Sequence, residues 1–259
     1  IPLFPYDYFH IGGDECPTDQ WANNADCLRR VQEEGLNGVH ELQSWLVEEL
    51  GIYVKENHGK DLVVWDELLS HWSDKNTVKP VIMAWNSLDH SAKAASRGFK
   101  SIVAPYSHLY LDFMQVGPNE TLVDEPYYGG WSDSNTNTLQ EAYTLNPLGS
   151  LSGKEDFCMG VQGNLWAETL NDFGELQYQL LPRMLALAET GWLPAKKKNW
   201  NSFYLRLQQQ DEILDALGYI YAKHHIVPAE QTEAEKLLAE AAAILEVSQG
   251  GQAGFPAKS

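Results

Sequence analysis

Basic side chains are scarce in this chain. Eighteen Lys and Arg stand against 36 Asp and Glu in 259 residues, for a formal net charge of −18. The one basic run, Lys196-Lys197-Lys198, reads as a solvated loop. So acidic a chain lacks the electrostatic footprint of a nucleic-acid binder or of a protein that docks on anionic membrane. No apolar run approaches the roughly 20 residues of a membrane-spanning helix. Cysteine is rare: Cys16, Cys27 and Cys158 are odd in number and their spacing fits no zinc pattern. Cys16 and Cys27 pair in an oxidising compartment or remain thiols, and the sequence leaves both open. No glycine-rich phosphate loop follows a strand-like run; Gly12-Gly13 precedes two acids, which repel phosphate. No ligand set suggests a metal, and no motif calls for a cofactor.

Apolar residues are plentiful at 44 %, and nine Trp and 12 Tyr are many for this length. Aromatics fill cores, but they also wall pockets and stack on flat apolar ligand faces. The sharpest local feature is a β-type run, Asp7 to Ile11, ending in Gly12-Gly13-Asp14-Glu15. Two adjacent acids at a strand end repel each other. A lone pair of this kind is usually a solvated turn. Its chemical use is acid catalysis, in which one carboxyl holds a proton beside a charged neighbour.

The rest of the chain repeats the pattern. Asp61-Leu62-Val63-Val64 ends at Trp65-Asp66-Glu67, and Val81-Ile82-Met83-Ala84 at Trp85-Asn86. Ser101 to Ala104 leads to Tyr110-Leu111-Asp112, and Phe157 to Val161 leads to Trp166-Ala167-Glu168. Such short apolar runs read as buried parallel strands. Helical patterns lie between them, over roughly 39 to 57, His90 to Arg97, and Leu176 to Glu189 with Pro182 starting or kinking it. A further helix ends near Gly218. The connection from about 113 to 156 is long, and contains Gly129-Gly130 and an Asn119-Glu120-Thr121 sequon. Alternating strands and helices with polar and aromatic strand ends predict a (β/α)8 TIM-barrel type of α/β fold over 1–222. A C-terminal segment, 223–259, contains an amphipathic helix over Ala229 to Val247 and a tail. His224-His225 reads as surface loop.

Taken in order, these strand ends resemble family-20 glycoside hydrolases, the β-N-acetylhexosaminidases, over about residues 5 to 217. His10-Ile11-Gly12-Gly13-Asp14-Glu15 is similar to the family's strand 4 signature. Trp65-Asp66-Glu67, Trp85, Tyr110-Leu111-Asp112 and Trp166-Ala167-Glu168 are similar to its strand 5 to 8 motifs. Leu181 to Glu189 matches the helix after strand 8, and Glu15-Cys16-Pro17 with Trp21 looks like the bacterial branch.

The resemblance implies hydrolysis of terminal β-linked N-acetylglucosamine or N-acetylgalactosamine from a glycan or chito-oligosaccharide. The substrate's own 2-acetamido oxygen attacks the anomeric carbon. In that scheme Glu15 is the general acid, Asp14 accepts the acetamido N–H, and Tyr110 donates to the acetamido oxygen. Trp65, Trp85 and Trp166 wall the pocket, while Asp112 and Glu168 accept sugar hydroxyls. His10, Asp66 and Glu67 support these groups, and neither a cofactor nor a metal is implied. The sequence does not fix the compartment; an extracellular, periplasmic or lysosome-like one is favoured over the cytoplasm.

The chain departs from the family in one respect: three β/α units precede the Gly-Gly-Asp-Glu strand in a family member, and the strand 1 arginine that grips outer sugar hydroxyls has no counterpart here. Strands 4 to 8 alone leave two open edges. The chain is therefore expected to form a homo-oligomer, to take a complementing chain, or to belong to a longer gene product. Two rival readings follow: an inactive remnant that binds carbohydrate or serves in assembly, and a two-carboxylate glycosidase with Asp14 or Asp66 as nucleophile.

Overall fold

The computed structural model describes residues 1, 3–115 and 136–223. The sequon, Gly129-Gly130, His224-His225 and the amphipathic segment 229–247 lie outside the described residues.

Five parallel strands form one sheet in sequential order: β1 (Tyr8–His10), β2 (Asp61–Trp65), β3 (Val81–Ala84), β4 (Ser101–Val103) and β5 (Cys158–Val161). The register runs Tyr8 to Asp61, Val63 to Val81, Ile82 to Ser101, and Ser101 to Cys158. Each neighbour is added in chain order, with helices between, as in an arc of a β/α barrel. The helices are α1 (Ala25–Glu33), α2 (Leu42–His58), α3 (Leu88–Ser96), the one-turn α4 (Tyr106–Leu109), α5 (Leu139–Thr144), α6 (Phe173–Leu180), α7 (Arg183–Trp192) and α8 (Trp200–Leu217). No helix among the described residues is long and apolar enough to cross a membrane.

Period-two alternation explains the layers. Leu62, Val64 and Ile82 pack outward with Val47 and Val54 of α2 and Ala94 of α3. Val63, Trp65, Val81 and Met83 form a second cluster, with Ala104, on the opposite face. Both faces of β2 and β3 are covered, so their runs are apolar throughout. The outer strands differ from expectation. Tyr8 on β1 and Met159 on β5 are exposed, because each of these strands has a single neighbour among the described residues. Met159 is also the extra residue of a bulge, in which Ser101 and Ile102 pair with Cys158 and Gly160.

Local chemistry ends the elements. Asn24 caps α1 by accepting from the Asp26 and Cys27 N–H groups, and Thr138 with Glu141 forms a capping box on α5. Gly218, at φ 74°, closes α8 where the sequence placed its end. The helix expected from 176 to 189 is two helices, α6 and α7, separated at Leu181–Pro182, where Leu181 is extended. Proline removes an amide donor and sterically extends the residue before it. Lys198 corrects the reading of the lysine run as solvated loop. Its ammonium donates to Thr190 Oγ1 at 2.8 Å, Leu145 O at 2.9 Å and the Tyr143 carbonyl, and burial lowers its pKa. All three cysteines are free thiols.

Candidate active site

The C-terminal ends of the five strands open on one cleft of about 500 Å³. Asp14, Glu15, Tyr110, Trp65, Trp85, Asp112, Trp166 and Glu168, drawn from all five strand ends, line it together. His10, Asp66 and Glu67 stand behind that lining.

After β1 the chain turns sharply. Gly12 and Gly13 take φ of 78° and 101°, values open to glycine at little cost, and Glu15 follows at φ 45°. Among the described residues only Ser152 shares a positive φ with Glu15 outside glycine. A left-handed non-glycine residue costs about 1 kcal/mol, and such strain gathers at functional sites. The turn is held from three directions. Gly12 N–H donates to His10 Nδ1 at 2.9 Å, Trp65 N–H donates to Gly12 O at 3.2 Å, and Gln43 Nε2 donates to Gly13 O at 2.7 Å. Since His10 Nδ1 accepts, the ring carries its proton on Nε2 when neutral. Burial lowers the His10 pKa, and the Asp14 charge opposes that shift. The ring also meets Trp65 edge-on at 4.9 Å. Asp14 and Glu15 are themselves exposed at the rim.

The aromatic wall interlocks. Tyr110 stacks on Trp85 at 5.9 Å and 14°, and meets Trp166 edge-on at 6.1 Å; Trp166 in turn lies 6.0 Å from Trp65. Tyr110 reaches this place because the β4–β5 pairing resumes beyond α4. Asn164 N–H donates to Leu109 O at 2.8 Å and Leu111 N–H to Asn164 O at 2.7 Å. Gly163 permits the approach, since a Cβ there would sit 2.7 Å from Leu187 Cδ2 and 3.2 Å from Leu111 Cδ1.

The second acidic pair lies under this wall. Asp66 has no exposed surface, and its carboxylate accepts from Asn86 N–H at 3.1 Å and Asn86 Nδ2 at 2.7 Å, with His90 Nδ1 at 2.7 Å. Glu67 accepts the Trp85 indole N–H at 3.0 and 3.1 Å, and burial raises its pKa. Both acids thus position the Trp85-Asn86 strand end. Asp112 is buried, with Oδ1 unpartnered. Burial pushes its pKa up to about 6; main-chain N–H groups at 112 and 166 and the Arg183 charge oppose that shift, and Glu168 adds to it.

Asn86, Tyr106 and Phe113 also line the cleft and escaped the sequence reading as site residues. Asn86 had a signal, since it directly follows Trp85 at a strand end. Tyr106 and Phe113 had none: α4 and the turn after Tyr110 bring them in. Among the described residues, no group of three or more His, Cys, Asp and Glu gathers as a metal site.

The profile of the glycosyl hydrolase family 20 catalytic domain matches residues 1–195. A beta-hexosaminidase of Porphyromonas gingivalis is 38 % identical over 233 residues, covering 89 % of this chain and 28 % of the relative. A beta-hexosaminidase of Vibrio furnissii is 33 % identical over 193 residues, covering 73 % of this chain and 30 % of the relative. The fold is similar to the crystal structure of a family-20 exo beta-N-acetylglucosaminidase from Vibrio harveyi in complex with N-acetylglucosamine. That likeness has a TM-score of 0.74 and 27 % identity, and covers 86 % of this chain and 34 % of the other. The chain thus spans about a third or less of the length of each of these proteins.

Proposed function

The chain belongs to glycosyl hydrolase family 20, and from that premise we propose that it carries the chemistry of a β-N-acetylhexosaminidase. It removes a terminal β-linked N-acetylhexosamine from a glycan, with retention, through the substrate's own amide. One observation supports this most directly. The Asp14-Glu15 turn, the Tyr110 hydroxyl and the Trp65-Trp85-Trp166 wall face a single cleft. That set offers an amide-sized aromatic box beside a proton donor.

In this mechanism Glu15 protonates the glycosidic oxygen while the acetamido oxygen attacks the anomeric carbon. The C–O bond breaks and an oxazolinium ring forms. Holding the internal nucleophile in place converts the step into a unimolecular one. Asp14 accepts the acetamido N–H and stabilises the positive charge that develops. Tyr110 donates to the acetamido oxygen and fixes it below the ring. Glu15 then takes a proton from water, which opens the oxazolinium. Asp112 and Glu168 accept hydroxyls on the far side of the sugar.

The test compares two chromogenic substrates, a β-N-acetylglucosaminide and the matching 2-hydroxy β-glucoside. Hydrolysis of the first alone is the expected result. Hydrolysis of both would favour a two-carboxylate route and defeat the proposal, and so would binding of the amide sugar without turnover.

Asp112 supplies a pH dependence. A hydroxyl acceptor works as the carboxylate, and burial has moved its titration to about pH 6. Below that pH it takes up a proton and stops accepting. KM is expected to rise about tenfold between pH 7 and pH 5, and the rise should vanish in Asp112→Asn. The effect on folding has the opposite sense. Between the unfolded carboxyl's titration, near pH 4, and about pH 6 the native state alone holds the proton, so this group's contribution to stability falls as pH rises through that window.

A further inference from the structure

Beneath the cleft lies a buried cation that the proposed mechanism leaves unused. Arg183, in the first turn of α7, has no exposed surface. Its guanidinium donates to Phe113 O at 2.9 Å, Asn137 O at 2.8 Å, Gln179 O at 2.7 Å and Gln179 Oε1 at 2.9 Å, and to Leu111 O. Leu111 and Phe113 are the residues on either side of Asp112. A desolvated guanidinium is costly unless its donors are met; here main-chain carbonyls make four of the five contacts to the two terminal nitrogens, while Nε is buried without a partner.

The carboxylate between those carbonyls accepts main-chain N–H groups, its own and that of Trp166. Asp112 Oδ1 is buried and has no hydrogen-bond partner. The carboxylate's direction is thus set by main chain, that of the segment after β5 and that of its own segment, and Arg183 grips the latter on both sides. We propose that Arg183 is a positioning residue for the cleft: by clamping the carbonyls of Leu111 and Phe113 it fixes the Asp112 carboxylate where that group receives the sugar hydroxyls. The proposal rests on the hydrolase reading above, from which Asp112 takes its role.

The charges around Asp112 agree with this. Arg183 faces it from α7, Glu168 from the segment after β5, and Tyr110 from its own segment; Tyr178 of α6 faces Arg183. Burial pushes Arg183 down to about 9, with Asp112 and Tyr178 opposing, so it stays charged at neutral pH. Its charge counters both burial and Glu168 in keeping Asp112 ionised.

Two variants separate the clamp from the charge. Arg183→Lys keeps a cation but loses the forked donor, and Arg183→Met removes both. With the chromogenic acetamido substrate, Arg183→Lys is expected to raise KM about tenfold while kcat changes less than about threefold. In an Asp112→Asn background the same change should alter KM less than about twofold, because the group it positions is gone. The Asp112 carboxyl, followed by carbon NMR and assigned by its loss in Asp112→Asn, should titrate near 6 in the native chain and about one pH unit or more higher in Arg183→Met. Where Arg183→Met does not fold, the kinetics of Arg183→Lys in the two backgrounds decide alone. Equal losses of kcat and KM in both backgrounds, or an unmoved titration, overturn the proposal. A native chain that turns over no substrate defeats the hydrolase reading instead, and the titration still decides whether Arg183 governs Asp112.

Discussion

Glu15→Gln is expected to lower kcat on an unactivated N-acetylglucosaminide by about three orders of magnitude, within the usual range for losing a general acid. Glutamine has nearly the same shape as glutamate but cannot deliver a proton. The side chain is exposed at the rim of the turn, so folding should be unaffected and the melting temperature nearly unchanged. KM should move little, since in the proposed mechanism the aromatic wall and the far-side acids hold the sugar. The leaving group sharpens the test. A dinitrophenolate departs without a proton, so the loss should shrink sharply on that substrate while remaining large on an alkyl glycoside. A uniform loss across leaving groups, or one under tenfold on the alkyl glycoside, would mean that the proton comes from elsewhere.

Tyr110→Phe should reduce kcat by about two orders of magnitude, near 2.7 kcal/mol of transition-state stabilisation. The substitution isolates the hydroxyl. The phenyl ring keeps its stack on Trp85 at 5.9 Å and its edge contact with Trp166 at 6.1 Å, so the pocket's shape survives. Burial raises the Tyr110 pKa well above that of a free phenol, against hydrogen bonds from Trp166 and Asn164. The hydroxyl is therefore a donor at every working pH, and its loss should cut activity evenly across the profile. A deficit confined to high pH, or one below threefold, would remove Tyr110 from the role of holding the amide oxygen. Steady-state kinetics from pH 4 to 9, with melting curves as the control for folding, provide the measurement.

The other proposals concern the acids deeper in the cleft, and they depend on what lies around those acids more than on their identity. Asp66-Glu67 and Asp14-Glu15 are the same pair of residue types at the ends of neighbouring strands. After β1 two glycines at positive φ carry the pair out to the rim. After β2 no glycine intervenes, the chain folds into a tight helical turn, and both acids are consumed by Asn86, His90 and Trp85. That contrast in fate was readable, because glycine's conformational freedom is a property of the chain itself.

Much of the rest was readable for similarly local reasons. Apolar runs buried on both faces mark β2 and β3, and polar residues at their ends mark the open side of the sheet. Gly218 locates the end of α8. These features depend on neighbours a few positions away, which the sequence displays directly. The exposure of β1 and β5 and the partial burial of Lys198 needed the assembled sheet. So did Tyr106 and Phe113, which carry no periodic mark.

By itself, then, the sequence determined the kinds of chemistry present and the order in which they meet the sheet: acids after β1, tryptophans after β2, β3 and β5, tyrosine after β4. Only the tertiary structure decided which of those groups share one cleft, which acid titrates near pH 6, and that the charge beneath it is Arg183, from a helix 70 residues beyond Phe113. The reason is physical. A side chain's type is local, but its solvation and its charged neighbours are set by segments far away along the chain.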